Sequence, residues 1–529
     1  MAGLVGDAVR GLVGVRPRRL VTPRADLPWR VPVAAGEAPS AVVVGGGIAG
    51  MSAAVVLAER GVRVTVLEAA DHLGGRLGAW PRPMATGGVE TMEHGFHGFF
   101  RQYYTWRALL RRIDPELSFL RPLDGYPVIS RAWPAEDFAD LPGVPPFNLL
   151  ALVLRSPSLR LADLRHVDRV AASALLEYDR TRTYAAFDLM SAAELLDRLA
   201  MPDRARAVLF EVFSHSFFNR EDDFSAAELI MMFHFYFLAN PEGLAMDVPV
   251  DDFATCVWDP FARLLDSLGA PVRTGAPVDR VEPGPEGGWS VVPAGSGEAV
   301  PAPHVVLATD PGALRRLLAA SPGLARRGSR LAAEVEALPI GAPYAVTRYW
   351  TDRPPAAARS VFSGVTREST VDAVAVYSRL ERGATAWAAR TGGGVVELHS
   401  YACDDSLDAT TAASRMWTEL GALWPEVRGM RVLEADSRVG RDAPGFPPGS
   451  DATRPSVLTD APGVRLAGDW VRLDFPSALM ERAAVSGVLA ANDVLAAYGV
   501  RAEPVDTVRP RGLLRPRPPD TDPAIASRA

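Results

Sequence analysis

The stretch Ala41–Glu68, AVVVGGGIAGMSAAVVLAERGVRVTVLE, is the key to the fold. It reads as a strand, a glycine turn, a helix, a second strand and an acid. Apolar Ala41–Val44 runs into Gly45-Gly46-Gly47-Ile48-Ala49-Gly50, which fits G-x-G-x-x-G. Gly45 permits the tight turn, Gly47 has no side chain to hold a pyrophosphate away from the backbone, and Gly50 lets the next helix pack close to the strand. Behind Ile48 and Ala49, a helix expected over Met51–Arg60 points its amides and dipole at the phosphates. Arg63–Leu67 is the second strand. Glu68 stands at its carboxyl end, 18 residues after Gly50, where a carboxylate accepts hydrogen bonds from ribose hydroxyls. A lone glycine fingerprint is weak, but here strand, helix, strand and acid are in register, which reads as a dinucleotide site.

Two more segments bear on which dinucleotide. Gly74-Gly75-Arg76 offers a second set of amides and a guanidinium to the same pyrophosphate. The plainer alternative is an ordinary turn with a solvated arginine. Near the far end, Val464-Arg465-Leu466-Ala467-Gly468-Asp469-Trp470 reads as a strand ending in Gly-Asp. Then Pro476-Ser477-Ala478-Leu479-Met480-Glu481 opens a helix to about Ala496, with Ser477 as N-cap or Pro476 as its first residue. Small residues from Ala483 to Ala491 let that helix press against a sheet. Its N-terminus offers positive potential to a flavin's N1–C2=O edge, and nicotinamide enzymes need no such late element.

The pairing of these elements resembles the FAD-dependent amine oxidase and carotenoid desaturase superfamily. Met92-Glu93-His94-Gly95-Phe96-His97-Gly98-Phe99-Phe100-Arg101-Gln102-Tyr103-Tyr104 is similar to the plant-type desaturase branch. The nearest resemblance is to the actinobacterial beta-carotene desaturase/methylase (isorenieratene synthase) group, from about Ala41 to about Tyr498. The resemblance implies an α/β fold: a discontinuous Rossmann-like FAD-binding domain of glutathione-reductase type and a second, mixed-sheet and helical substrate domain. It places Val278 where the backbone holds the adenine, and implies FAD at Gly45, Gly47, Ile48, Ala49, Gly50, Glu68, Gly74, Gly75, Arg76, Val278, Gly468, Asp469 and Met480.

Composition narrows the chemistry. A chain of 529 residues with 48% apolar content buries a large core and splits into two or three domains. A net charge of −7 disfavours a nucleic-acid partner. There is no lysine, which excludes Schiff-base chemistry and a P-loop lysine, and counts against amine oxidation. Cys256 and Cys403 form no CxxC motif, so no metal is expected and FAD is expected to be non-covalent. No signal peptide is evident before Ala41. The apolar run Ala41–Ala58 mimics a membrane span in length, but its glycines place it in the strand–turn–helix unit.

The expected organisation is a flexible basic tail over 1–40, an FAD-binding domain from 41–105, 271–318 and 455–498, a substrate domain from 106–270 and 319–454, and a Pro/Arg-rich tail over 499–529. In the cofactor domain, VRTGAPVDRVE and WSVVPA read as paired strands, and HVVLATDPGALRRLL as strand, turn and helix. In the substrate domain, Pro343–Trp350, Val371–Tyr377 and Val395–Cys403 read as strands of a sheet wall.

Leu209–Leu238 is dense in phenylalanine, with Met231 and Met232. It suits the wall of a long polyene site, or equally a core helix. The apolar run Phe147–Leu154 is too short to span a bilayer; it either lies in an interface or is buried. The expected partners are a carotenoid or other long apolar substrate, a quinone-like electron acceptor and an anionic membrane surface. The expected location is cytoplasmic, peripheral on the inner face of the membrane.

The resemblance implies hydride loss from an allylic C–H, proton loss from the resulting cation and, on a beta-ionone-type ring, a methyl shift that leaves an aromatic end group. Glu93, His94 and His97 are the candidate bases. His94 could instead orient its loop, and Glu93 could pair with Arg101. The competing readings are a desaturase or isomerase of an acyclic carotene, a flavin amine oxidase, and a non-catalytic escort of hydrophobic cargo.

Overall fold

The computed structural model describes residues 16–32, 38–85, 87–123, 125–139, 141–159, 162–285, 287–295 and 298–514. Its organising element is a five-stranded parallel sheet in the order Val272–Arg273, Arg63–Leu67, Ser40–Val44, His304–Leu307, Val464–Leu466. Strands far apart in sequence therefore lie side by side. The dinucleotide helix spans Ile48–Glu59, starting three residues earlier than expected, and Ile48 to Ala58 are all buried. The reason is two-sided packing: the sheet covers one face and the helix Leu479–Ala497 presses on another. A Cβ on Gly487 would lie 2.1 Å from the Ala49 carbonyl oxygen, so only glycine allows this approach. The membrane-like apolar run is thus a core strand, a glycine turn and a core helix.

Beside this sheet, Val278–Pro283, Trp289–Pro293 and Val300–Ala302 form an antiparallel three-stranded sheet. A seven-stranded sheet forms the other wall: Val432–Gly440, Tyr344–Thr351, Gly394–Ser400, Ala373–Ala375, Phe362–Val365, Pro127–Ile129 and Glu136–Asp137. The three expected strands lie within it. Its last two members come from a stretch with no clear strand signal.

Three expectations change. The terminal segments are not loose where described: Arg18–Val21 pairs antiparallel with Val505–Thr507, and Arg19 salt-bridges Asp506. Val505 and Val508 are fully buried, and Gly512 N donates to the Tyr178 carbonyl, so the chain end packs onto the body. Residues 1–15, 33–37 and 515–529 of those expected tails lie outside the described residues. Leu209–Leu238 is not one helix but a broken series, with π-helical turns at Ala207–Glu211 and His234–Leu238 and a short 3-10 turn at Glu221–Asp223. The late helix starts at Leu479 after Ala478, with no side-chain cap. Ser477 is buried, and its hydroxyl has no hydrogen-bond partner among the described residues.

Candidate active site

A single cavity of about 790 Å³ runs from the glycine turns to the seven-stranded sheet. At one end lie Gly45, Gly47, Ile48, Ala49, Glu68, Gly74, Gly75, Arg76, Val278, Gly468, Asp469 and Met480. These are the predicted cofactor residues except Gly50, which sits behind the turn: its Cβ would stand 1.9 Å from the Gly45 carbonyl oxygen. Gly45 has φ +110°, and a Cβ there would be 2.5 Å from the Ala308 carbonyl oxygen. The two glycine turns meet through a Gly47–Gly74 bridge.

Two predicted contacts take a different form. Glu68 Oε2 accepts from Gly46 N at 2.5 Å and Oε1 from Ala70 N at 2.8 Å, so the carboxylate braces its own turn while bordering the cavity. Arg76 makes a two-pronged bond to Asp469, at 2.7 and 2.9 Å, tying the second glycine turn to the Gly-Asp strand end rather than standing as a lone cation.

The helices Ile48–Glu59 and Leu479–Ala497 both begin on this cavity, and neither has a side-chain cap. The dinucleotide helix has no acid in its first turn. Glu481, in the first turn of the other, is turned away to accept from Thr105 N and Trp106 N. Thr309 borders the cavity, and its buried hydroxyl has no partner among the described residues. Uncapped amides and an orphaned hydroxyl fit the phosphates and polar edges of FAD.

The other end is apolar and aromatic, with Phe100, Tyr126, Phe213, Phe217, Phe218, Tyr236 and Phe362 among its lining residues. Of the phenylalanine-rich stretch, Phe213, Phe217 and Phe218 reach the cavity. Phe210, Phe224, Phe233, Phe235 and Phe237 are packed behind it, so that stretch is both wall and core.

The three candidate bases separate. His97 and His94 border the cavity. Burial lowers both imidazoles to about 4, so both are neutral near pH 7. His97 Nδ1 bonds the Gly95 carbonyl at 2.8 Å, and His94 packs edge-on against Trp80. Glu93 does not border this cavity. It lies beside a second, much smaller one, accepts from Phe253 N, and pairs with Arg348 at 3.1 Å; Arg101 instead pairs with Asp247. Burial lifts Glu93 to about 7 against the pull of Arg348.

Sequence reasoning missed His399, Tyr401, Tyr344 and Asp442, all of which border the cavity. Alternation along Val395–Cys403 put His399 and Tyr401 on one strand face; nothing local told which face.

The flavin containing amine oxidoreductase family model matches residues 48–495. The chain belongs to that family. This flavoprotein is 44% identical to a carotenoid phi-ring synthase of Streptomyces griseus over 473 residues, covering 89% of this chain and 91% of that one. It is 29% identical to a carotenoid phi-ring synthase of Chlorobaculum tepidum, with 97% of each chain covered. A solved putrescine oxidase redesigned at its cofactor site shares the fold, with a TM-score of 0.61 at 18% identity, covering 87% of this flavoprotein and 100% of that chain.

Proposed function

We propose that this flavoprotein desaturates the beta-ionone-type ring of a carotenoid with migration of a methyl group, leaving an aromatic end group. The observation that carries the reading is the continuity of the cavity: a nucleotide cradle opens directly into an aromatic chamber. The 44% identity to a carotenoid phi-ring synthase supplies the substrate class. Bound non-covalently, FAD supplies the acceptor for the hydride lost from the ring. The cysteines do not contribute to the cavity lining: Cys403 Sγ donates to the Pro343 carbonyl and Cys256 Sγ to the Asp251 carbonyl.

The chain's own residues bind, orient and keep the site dry. Gly45, Gly47, Gly74, Gly75 and the Ile48–Ala49 amides hold the pyrophosphate, Glu68 a ribose, Val278 the adenine, and the Gly468–Asp469 end with Met480 the flavin ring. Segments 41–105, 271–318 and 455–498 serve as the cofactor-binding domain. The aromatic lining holds the polyene by shape and dispersion and keeps water from the ring cation. His97 positions the ring. A quinone reoxidises the flavin, and the protein works in the cytoplasm on the inner membrane surface, where a lipid-soluble substrate is delivered. Among the described residues no helix is long and apolar enough to cross a membrane.

Feeding beta-carotene in a membrane extract with added quinone should yield products with trimethylphenyl end groups by mass and NMR. Acyclic products made only from a linear carotene reject the methyl shift. Rapid amine oxidation without carotenoid turnover rejects the reading altogether.

A further inference from the structure

A buried polar chain leads away from the aromatic end of the cavity. Tyr401 Oη is 3.0 Å from His399 Nδ1, His399 Nε2 is 2.8 Å from Glu397 Oε1, and Glu397 Oε2 accepts from Arg348 at 2.9 Å. Tyr401 and His399 border the cavity; Glu397 and Arg348 lie behind it and are essentially inaccessible. The strands Gly394–Ser400 and Tyr344–Thr351 create the line. Arg348 lies directly opposite Glu397, and His399, two residues on, shares its face.

The protonation pattern follows from the partners. Burial opposes charge on Glu397, but Arg348 and His399 outweigh it and hold the carboxyl to about 2. An ionised Glu397 can only accept, so His399 carries its hydrogen on Nε2 and leaves Nδ1 free to accept from the Tyr401 hydroxyl. The order is that of an acid–base triad: a hydroxyl on a residue that borders the cavity, an imidazole bonded to it, and a carboxylate fixing the tautomer. Among the described residues no other group bordering the cavity has this arrangement. His97 spends Nδ1 on a backbone carbonyl, and Glu93 lies outside the main cavity.

We propose that Tyr401 is the catalytic acceptor of the proton lost from the substrate cation, with His399 and Glu397 as its positioning relay. The inference rests on the carotenoid reading above. Hydride loss to the flavin leaves a ring cation. The C–H bond beside the cationic carbon breaks and its electron pair becomes the new C=C bond. That proton bonds to Tyr401 Oη as the phenolic proton passes to His399 Nδ1, giving an imidazolium paired with Glu397. A hydrogen next to a carbocation is acidic enough for a neutral hydroxyl to take it, provided the charge passes on at once, and the buried imidazole–carboxylate pair provides that.

The test uses the flavin-loaded enzyme with beta-carotene in liposomes and a quinone. Tyr401→Phe removes the hydroxyl and keeps the ring; His399→Gln keeps hydrogen bonding but cannot hold the proton. Each should retain wild-type flavin absorbance and a KM within about 2-fold while kcat falls about 100-fold. The wild-type enzyme should show a solvent deuterium isotope effect on kcat, because an O–H proton moves in the step. Wild-type kcat in either variant, or a solvent isotope effect of unity in the unaltered enzyme, overturns the relay while the carotenoid reading stands. No aromatic product from the wild-type enzyme withdraws both. Loss of turnover in His97→Gln with Tyr401→Phe unimpaired moves the proton to His97 and overturns the assignment to Tyr401.

Discussion

Gly47 and Gly50 sit three residues apart in one turn and should fail differently. Gly47 has φ −80°, and a Cβ there would find its nearest neighbour, the Gly74 carbonyl oxygen, at an ordinary 3.7 Å. Nothing among the described residues forbids a side chain there; on the proposed reading, a pyrophosphate lying against the backbone would. Gly50 is different, because its Cβ would be driven into the Gly45 carbonyl. Gly47→Val should therefore give a folded protein with the thermal midpoint of the flavin-free wild type and no flavin absorbance. Gly50→Ala should lower that midpoint even without flavin. Full flavin occupancy in Gly47→Val would place the pyrophosphate elsewhere. Both glycines were readable from the motif, but the division of labour between them was not, since it depends on what faces each missing Cβ.

The helix Phe147–Arg155 shows what an element adds. It buries Asn148 and Leu152, and Asn148 Nδ2 donates to the Phe237 carbonyl at 2.5 Å, fastening the helix to the aromatic series. Phe237 in turn packs edge-on against Phe213, which lines the cavity. The opposite face leaves Phe147, Leu150 and Leu154 about half exposed, at 48%, 55% and 61%. Spacings of three and four residues put these on one stripe. An exposed apolar stripe beside an apolar chamber is the expected geometry of a lipid contact. Leu150→Asp should leave flavin content and stability unchanged, because the side chain is already exposed. It should cut co-sedimentation with anionic vesicles several-fold and slow turnover of liposomal carotene. Unchanged sedimentation and turnover would show that this face does not meet the membrane.

At the scale of the whole molecule, the chain end is locked onto the aromatic helices. His234 Nε2 bonds the Arg509 carbonyl at 2.7 Å, and the ring stacks on Tyr178 at 4.5 Å. Burial lowers this imidazole to about 4, below the ~6.5 of an unfolded chain. The fold disfavours its protonation, so its contribution is complete above about pH 6.5 and is lost as pH falls toward 4. His94, His97 and His304 are lowered in the same direction by burial, whereas Glu93 and Glu481, lifted to about 7, act in the opposite sense over part of the window. The thermal midpoint should fall between pH 6.5 and 4, and His234→Gln should flatten part of that fall, by roughly 3 kcal/mol at most from a shift of this size. An identical pH profile in the variant would assign the acid sensitivity to the other groups.

The sequence by itself determined the cofactor half. Ala41–Glu68 carries its meaning locally, because strand, glycine turn, helix and acid are consecutive, although what crowds Gly45 is the Ala308 carbonyl of a distant strand end. The same holds for Gly74–Arg76 and for the strand and helix at the far end. Only the tertiary structure decided that Arg76 spends its charge on Asp469, that Val505–Thr507 pairs with Arg18–Val21, and that Glu93 faces Arg348 while His399 and Tyr401 border the main cavity. These are contacts between segments hundreds of residues apart, set by which faces of two sheets turn toward each other. Period-two alternation names the residues that share a face, but which face looks into the cavity is settled only when the sheets pack.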